Sequence, residues 1–383
     1  MNPETYVPFC STDIRFLKPA DLEKQLLSLN LSNVVLILSK GGEIRWDLTE
    51  FCEKFAASLK MYIRIFDVPS NPTPEDIHAA LEKIGSSPID TIIAVGGGSC
   101  IDLAKGISAF YSQDAVPSAD AILQMVKNKS YTSCNGLDII AVPTTAGTGS
   151  EVTQWATVWD MRNKEKYSID CPQLKPKAAY VVPEFTLSLS KELTLSTGLD
   201  ALCHAVEAYW STFTTPLVQD LAYRSVELVV SNLKDVLDHP SDPILRERMC
   251  RASLLAGLAF SQTRTTACHA ISYPLTMYYG VPHGFAAALS LAGVAELNRG
   301  YFVNDEALFK LFDEWGGIQE WLDYVCEGVV LLRAEAFGVK DFEMVAEKAC
   351  VNGRMGNNPR RIDVQMVSFI LLGRSFPLIE KEG

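Results

Sequence analysis

The chain is poor in histidine, with only five in 383 residues. Four of those five, His204, His239, His269 and His283, fall between Leu199 and Gly284. Its ten cysteines form no CxxC pair. That argues against a cysteine–zinc site, and in a chain this long it reads as reduced thiols and not a disulfide framework. No apolar run reaches the roughly 18 residues that a membrane span needs. A net charge of −12 argues against nucleic acid or an anionic membrane surface as a partner. The opening stretch, MNPETYVPFCSTDIRF, lacks the basic-then-apolar pattern of a secretory leader. These absences together set the expectation of a cytoplasmic protein. There is no internal repeat, no low-complexity tract and no GxGxxG, so the common dinucleotide fingerprint is not licensed.

What is present is an ordinary globular composition, 48% hydrophobic, long enough for two domains. The first half alternates strand and helix signals. Val34–Leu38 is a short apolar run, as expected of a buried parallel strand. Helical spacing follows over Leu48–Leu59, then a strand-like Tyr62–Phe66. Next come a Pro/Glu-rich helix start and an amphipathic helix in SNPTPEDIHAALEKI. Thr91–Val95 and Asp138–Val142 are two more strands, each running into a polar, glycine-rich turn. This alternation predicts a parallel α/β sheet. After about Thr186 the pattern becomes helical, roughly Lys191–Thr212, Pro216–Leu237, Asp242–Gln262, Ala267–Tyr278 and Gly284–Arg299, with more to follow. The expected division is an α/β nucleotide-binding domain over residues 1–186 and an all-helical metal-binding and substrate domain over 187–383.

Gly96-Gly97-Gly98-Ser99 closes one strand and opens a helix that contains Asp102 and Lys105. Glycines let a backbone approach a phosphate, and a helix N-terminus offers free N–H groups and a positive dipole end. The same turn also serves as a plain strand–helix connection. The second turn runs from Pro143 to Glu151 and carries Thr144, Thr145, Thr148 and Ser150. Two such turns after two parallel strands suit a pyrophosphate at the carboxyl edge of a sheet.

The histidine-rich stretch holds Asp200 and His204, four apart and so on one face of a helix, then His269, then His283 in a Pro-His-Gly context. One carboxylate and three imidazoles suit a divalent transition metal with room for a substrate oxygen. Asp200 alone reads equally as a helix cap. His78 and His239 lie in polar surroundings outside these motifs and read as surface residues.

The segments GGGSCIDLAK (Gly96–Lys105), PTTAGTGSEVT (Pro143–Thr153), EKYSI (Glu165–Ile169), TGLDALCHAVEAYWS (Thr197–Ser211), HAISYPL (His269–Leu275), VPHGFAAAL (Val281–Leu289) and NNPR (Asn357–Arg360) resemble the iron-containing, or group III, alcohol dehydrogenases, in that family's order. The resemblance implies an N-terminal α/β domain and a C-terminal all-α domain, a dehydroquinate synthase-like fold. It implies Asp200, His204, His269 and His283 as ligands of ferrous iron, or sometimes zinc. It also implies a nicotinamide dinucleotide held by Gly97, Gly98, Ser99, Thr144, Thr145 and Thr148, with Asp102 and Lys166 nearby. A small aldehyde or alcohol would be the substrate, and a homodimer or larger assembly the quaternary form.

Two departures stand out. Many members carry a ribose-binding aspartate after the first of these strands; here the run is Ser39-Lys40-Gly41-Gly42. With no carboxylate and a nearby cation, NADP(H) is favoured over NAD(H). Many members also have a histidine four residues after the third ligand. Here Tyr273 stands there, able to donate a proton but not to titrate near neutrality. The approach to His269, from Ser261 to Cys268, resembles the phosphonoacetaldehyde-reducing subgroup of the family. Arg264 within it is a candidate clamp for an anionic substrate tail, with an internal ion pair or a subunit contact as its alternative. The alternatives for the whole chain are a general short-chain primary alcohol dehydrogenase, a non-redox lyase resembling dehydroquinate synthase, and a non-catalytic nucleotide-binding protein.

Overall fold

The computed structural model describes residues 10–39, 41–66, 68–131, 136–351 and 353–373. They fall into two compact units. One holds the described residues up to Thr145 together with Gly149–Ser188; the other holds Ala146–Thr148 and the described residues from Leu189 onward.

The strands of the first unit are β1 (Asp13–Phe16), β2 (Asn33–Leu38), β3 (Met61–Ile65), β4 (Thr91–Gly96), β5 (Asp138–Pro143), β6 (Trp155–Asp160), β7 (Glu165–Asp170) and β8 (Ala178–Val181). Six of them form a parallel sheet in the order β1-β8-β5-β4-β2-β3, and β6 and β7 make a separate antiparallel pair. The helices are α1 (Pro19–Ser28), α2 (Gly42–Arg45), α3 (Thr49–Ser58), α4 (Pro74–Ile84), α5 (Gly98–Phe110) and α6 (Ala119–Asn128).

The continuous apolar runs have a simple cause. Val35 and Ile37 of β2 join a core with Ile77, Ile101 and Ile122 from α4, α5 and α6. Val34, Leu36 and Leu38 join an opposite core with Leu22, Phe51 and Phe55 from α1 and α3. A strand buried on both faces cannot alternate with polar residues. The chain passes from β2 outward to β3, then returns to the other side of β2 as β4. In open parallel sheets the crevice beyond the carboxyl ends of the strands at such a reversal is where ligands bind. Ser39 follows β2 there, and Gly97–Ser99 follow β4.

The four strands expected from the sequence are present within one residue of their expected ends. Four more were not expected. β1 is a four-residue edge strand, mostly exposed, and β8 is equally short. The β6–β7 hairpin turns through Met161–Lys164 with no glycine, Lys164 itself taking φ 54°.

The second unit is helical: α7 (Lys191–Trp210), α8 (Pro216–Asp238), α9 (Pro243–Thr263), α10 (Ala267–Tyr279), α11 (His283–Asn298), α12 (Asp305–Lys310), α13 (Ile318–Cys326), α14 (Phe342–Cys350) and α15 (Val364–Leu371). The five expected helices lie within two residues of these limits. Their starts are set by side-chain caps, Ser190 for α7, Thr215 for α8 and Asp242 for α9, with Pro216 and Pro243 in the first turns.

From Thr194 to Trp210 every residue of α7 except Thr197 is buried. A helix covered on all sides is the centre of its unit, and small residues let its neighbours approach. A Cβ on Gly198 would lie 2.5 Å from Leu233 of α8. One on Gly284 of α11 would lie 1.8 Å from the carbonyl oxygen of Ser196. No helix among the described residues is long and apolar enough to cross a membrane.

Candidate functional site

In the first unit the two polar turns meet. Gly97 caps α5 without a side-chain hydrogen bond, so the first N–H groups of that helix have no side-chain cap at Gly97. A Cβ on Gly97 would come 3.2 Å from the side chain of Thr145, and one on Gly96 would come 2.5 Å from Cys100 and 3.5 Å from Ser39. A side chain at Gly96 would be driven into Cys100, while one at Gly97 would only press on Thr145 at the start of α5. Thr144 N donates to the Gly96 carbonyl at 3.1 Å, and Ser99 Oγ accepts from Asn71 N at 3.2 Å. Gly98 begins the helix beside them. Lys40 lies outside the described residues.

Asp102 was expected near a cofactor. Its two carboxylate oxygens accept from Ser150 Oγ at 2.7 Å and from Thr157 N at 2.9 Å. Ser150 is held from a second side by Lys105, a residue the sequence reading assigned no role. The buried Lys105 ammonium donates to the Ser150 carbonyl at 2.7 Å, Ser150 Oγ at 2.9 Å, Thr153 Oγ1 at 3.4 Å and the Trp155 carbonyl at 2.8 Å. Burial pulls its pKa down to about 8, against the pull of Asp102 and Glu151. The two charges on α5 thus fasten the end of the second turn. Lys166, on β7, sits 5.0 Å over the ring of Trp159. Thr148 is half-buried, and Ala146–Thr148 group with the helical unit.

In the second unit the scarce histidines converge. Asp200 Oδ1 is the hub: His269 Nε2 lies 3.4 Å away, His204 Nδ1 3.8 Å and His283 Nε2 3.9 Å. Asp200 and His204 come from α7, His269 from α10 and His283 from the first residue of α11. Asp200, His269 and His283 each offer a donor atom within 4.8 Å of the others. His204 stands outside that mutually close set, its ring stacked between Phe260 and His269 at 4.2 Å from each.

The titration behaviour follows from this crowding. Burial alone would raise the Asp200 carboxyl, but His204, His269 and His283 bring it well below the usual carboxylate range. Burial lowers His204 to about 4. His269 is lowered by burial, but Glu207 and Asp200 more than reverse this and raise it.

Glu207 went unnoticed in the sequence. It is wholly buried on α7, and one oxygen takes a short hydrogen bond from His269 Nδ1. Its other oxygen accepts from Thr266 N at 3.0 Å, Thr266 Oγ1 at 2.8 Å, Cys268 N at 2.8 Å and His269 N at 3.3 Å. A carboxylate at a helix N-terminus satisfies donors that the helix cannot. Here it also fixes the His269 tautomer so that Nε2 faces Asp200. Its only sequence signal is an acidic residue in an otherwise apolar stretch of helix.

These residues fit a divalent transition metal. Asp200 Oδ1, His204 Nδ1 and His269 Nε2 are buried, and none makes a hydrogen bond among the described residues. Buried polar atoms left this way cost roughly 1–3 kcal/mol each unless something else binds them. One carboxylate with imidazoles, oriented from behind by a second carboxylate, is a donor set for ferrous iron or zinc.

Tyr273 is half-buried, its ring stacked parallel to His283 at 6.2 Å. Burial raises its pKa, against the opposing pull of Arg354. Arg264 is the exposed C-cap of α9, with φ 62° and ψ 179°, backbone angles that glycine alone adopts readily. Of the NNPR motif, Asn357 Nδ2 donates to the Thr265 carbonyl at 3.0 Å and its own carbonyl accepts from Thr212 N at 3.0 Å. Asn358 exchanges amide hydrogen bonds with Asn298 at 2.8 and 3.0 Å, and Arg360 donates to the Leu297 carbonyl at 3.0 Å. The motif clamps helices together.

Comparison with known proteins identifies the family. A family model described as iron-containing alcohol dehydrogenase matches residues 18–183, and the C-terminal model of the Fe-containing alcohol dehydrogenase family matches residues 194–322. A phosphonoacetaldehyde reductase of Streptomyces viridochromogenes is 32% identical over 79% of this chain and 80% of that protein. An NADPH-dependent butanol dehydrogenase of Clostridium saccharobutylicum is 29% identical over 91% of this chain and 95% of that one. The crystal structure of sulfoacetaldehyde reductase from Bifidobacterium kashiwanohense in complex with NAD+ superposes with a TM-score of 0.80 at 25% identity, covering 96% of this chain and 98% of that chain.

Proposed function

Because this chain belongs to the iron-containing alcohol dehydrogenase family, we propose that it moves hydride between a nicotinamide dinucleotide and a small aldehyde or alcohol at a single metal held by Asp200, His204, His269 and His283. The observation that carries the reading is the set of buried, unsatisfied donor atoms gathered around Asp200 Oδ1. The metal, when bound, supplies Lewis acidity toward a carbonyl or alcohol oxygen, and the nicotinamide supplies or accepts the hydride.

The protein's part is orientation and proton control. Asp200 is ionised at any pH near neutrality and brings the negative charge that a divalent ion requires. Glu207 holds the His269 proton on Nδ1 and leaves Nε2 as a donor atom. Tyr273 keeps its phenolic proton at neutral pH and, stacked beside His283, is our candidate to pass it to the product oxygen. In the first unit Ser39, Gly96, Gly97, Gly98, Ser99, Thr144 and Thr145 offer hydroxyls and N–H groups to the dinucleotide phosphates and ribose, and Lys105 with Asp102 keeps Ser150 and its turn in place.

Phosphonoacetaldehyde, reduced to 2-hydroxyethylphosphonate, is our first candidate substrate, supported by the Streptomyces relative. NADP(H) is our preferred cofactor, supported by Ser39 standing at the β2 end without a carboxylate and by the butanol dehydrogenase's name. We further propose a cytoplasmic homodimer or larger assembly. The test is an aldehyde and alcohol panel with NADPH and NADH, on protein reconstituted anaerobically with iron and separately with zinc. Loss of absorbance at 340 nm with an aldehyde is the expected outcome. A metal-loaded protein that binds NADPH yet reduces no aldehyde overturns the reading, and kcat/KM equal or better with NADH overturns the cofactor preference.

A further inference from the structure

The helical unit places a second cation near the cluster, from a segment that carried no substrate role in the sequence. Arg354 lies in the 3-10 turn Gly353–Asn357. Its guanidinium sits 5.3 Å over the ring of Tyr273, and the same ring stacks on His283 at 6.2 Å and 6°. His283 in turn is one of the three mutually close donors. A half-buried guanidinium and a candidate metal ligand therefore both pack on the ring of Tyr273.

Arg354 is also held in position. Its Nη1 donates to Thr265 Oγ1 at 2.5 Å. Three residues on, Asn357 ties the same turn to the Thr265 carbonyl and to Thr212, and the Asn358–Asn298 exchange fixes the chain against α11. Contact with an aromatic face and a bond to a threonine hydroxyl orient the planar guanidinium fork. In a chain of net charge −12, with Asp200 and Glu207 buried close by, a fixed cation beside Tyr273 is a local inversion of sign.

We propose that Arg354, with Tyr273 and Thr265, forms the subsite for an anionic tail on the substrate and selects short aldehydes that end in a phosphonate, sulfonate or carboxylate. The inference rests on the aldehyde-reductase reading and adds the substrate class and the residue that sets it. The three anions share at least two terminal oxygens that a guanidinium fork can pair with in parallel. The names of two relatives, a phosphonoacetaldehyde reductase and a sulfoacetaldehyde reductase, denote aldehydes of this kind. Arg264 is the competing cation. It is exposed, and it caps α9 one residue before Thr265.

The experiment uses the full chain, metal-loaded, as wild type, Arg354→Ala, Arg354→Lys and Arg264→Ala. One readout is the ratio of kcat/KM for phosphonoacetaldehyde, sulfoacetaldehyde and succinic semialdehyde to that for neutral butyraldehyde. The other is calorimetric binding of ethylphosphonate, which needs no turnover. The Arg354→Ala ratio for the preferred anion falls about 100-fold, the scale expected when one partner of a desolvated charge pair is removed. Ethylphosphonate affinity falls with it, Arg354→Lys recovers part of both, and Arg264→Ala leaves the ratio within about threefold. Comparing the three anionic aldehydes assigns the tail. The proposal is overturned if Arg354→Ala lowers all substrates equally while Arg354→Lys restores them equally, or if Arg264→Ala alone collapses the ratio. A wild type that prefers butyraldehyde overturns it too. If no aldehyde is reduced, the aldehyde-reductase reading fails, and ethylphosphonate binding still decides whether Arg354 makes an anion site.

Discussion

The two polar clusters of this chain are opposites. In the first unit Lys105, Ser150, Asp102 and the backbone around Thr157 satisfy one another, with Lys105 reaching four oxygens. In the second unit Asp200 Oδ1, His204 Nδ1 and His269 Nε2 are just as buried and make no hydrogen bond among the described residues. A saturated buried network is a fastener, because every group in it already has its partner. An unsaturated one at similar depth is a receptor, because its desolvation cost is offset only when something else arrives. Charge and burial alone do not distinguish the two; counting partners does.

The contrast breaks most visibly at the hub. Asp200→Ala removes the atom within reach of all three imidazoles. Metal content by elemental analysis is expected to fall to background and aldehyde reduction by about 1000-fold or more, the several kcal/mol that Lewis-acid stabilisation supplies. Full metal retention by that variant would show that the cluster is not the receptor.

The next effect is mechanical. Gly284→Ala drives a Cβ into the Ser196 carbonyl, a backbone atom that cannot swing aside. Overpacking of this kind costs about 3 kcal/mol, read as a lowered midpoint in chemical denaturation. Gly97→Ala meets only the side chain of Thr145 at 3.2 Å, so its fold loses less than about 1 kcal/mol while dinucleotide affinity drops. Equal destabilisation by the two would erase the distinction between a packing glycine and a ligand-facing one.

The fastener has its own signature in pH. Lys105 titrates near 8 when folded, against 10.5 for a free lysine. Below pH 8 both states are charged, and the folded chain bears the full cost of burying the ammonium. Between pH 8 and 10.5 the unfolded chain holds a proton that the folded chain has lost, so stability rises with pH across that window. The gain relative to Lys105→Met totals about 3 kcal/mol, measurable by urea melts at stepped pH. A flat difference would mean that the buried ammonium is not strained.

The smallest effect sharpens the receptor side. Glu207→Gln keeps the shape but weakens the hold on His269. Metal affinity falls about 10- to 100-fold, the usual range for a ligand's hydrogen-bond partner, as titrated with a competing chelator. Unchanged affinity would confine Glu207 to starting α10.

How far the sequence could be read follows the same division. β2, β4 and β5 were legible because burial on both faces forces unbroken apolar runs. α7, α8 and α9 were legible because Ser190, Thr215 and Asp242 cap them locally. β1 was not, since its four residues gain their place only by pairing with β8, far along the chain. Asp200, His204, His269 and His283 were found by motif, and their separation in sequence did not hide them because histidine is so scarce. Glu207, Lys105 and Arg354 stayed hidden for one shared reason. Each owes its role to partners on distant segments, and an isolated acidic or basic residue in a helix or turn looks the same whether it is saturated, poised or idle.

Glu207 carries a last consequence. One of its oxygens starts α10 and the other aims His269, so where that helix begins and where that ring points are a single variable. A designer seeking a different metal cannot swivel His269 alone; the new direction needs a recut helix start or another acid of equal reach. A lineage drifting at position 207 faces the same bind, because one substitution disturbs a fold element and a ligand together. Change there is expected to come in concert with the Thr263–Thr266 turn, or not at all.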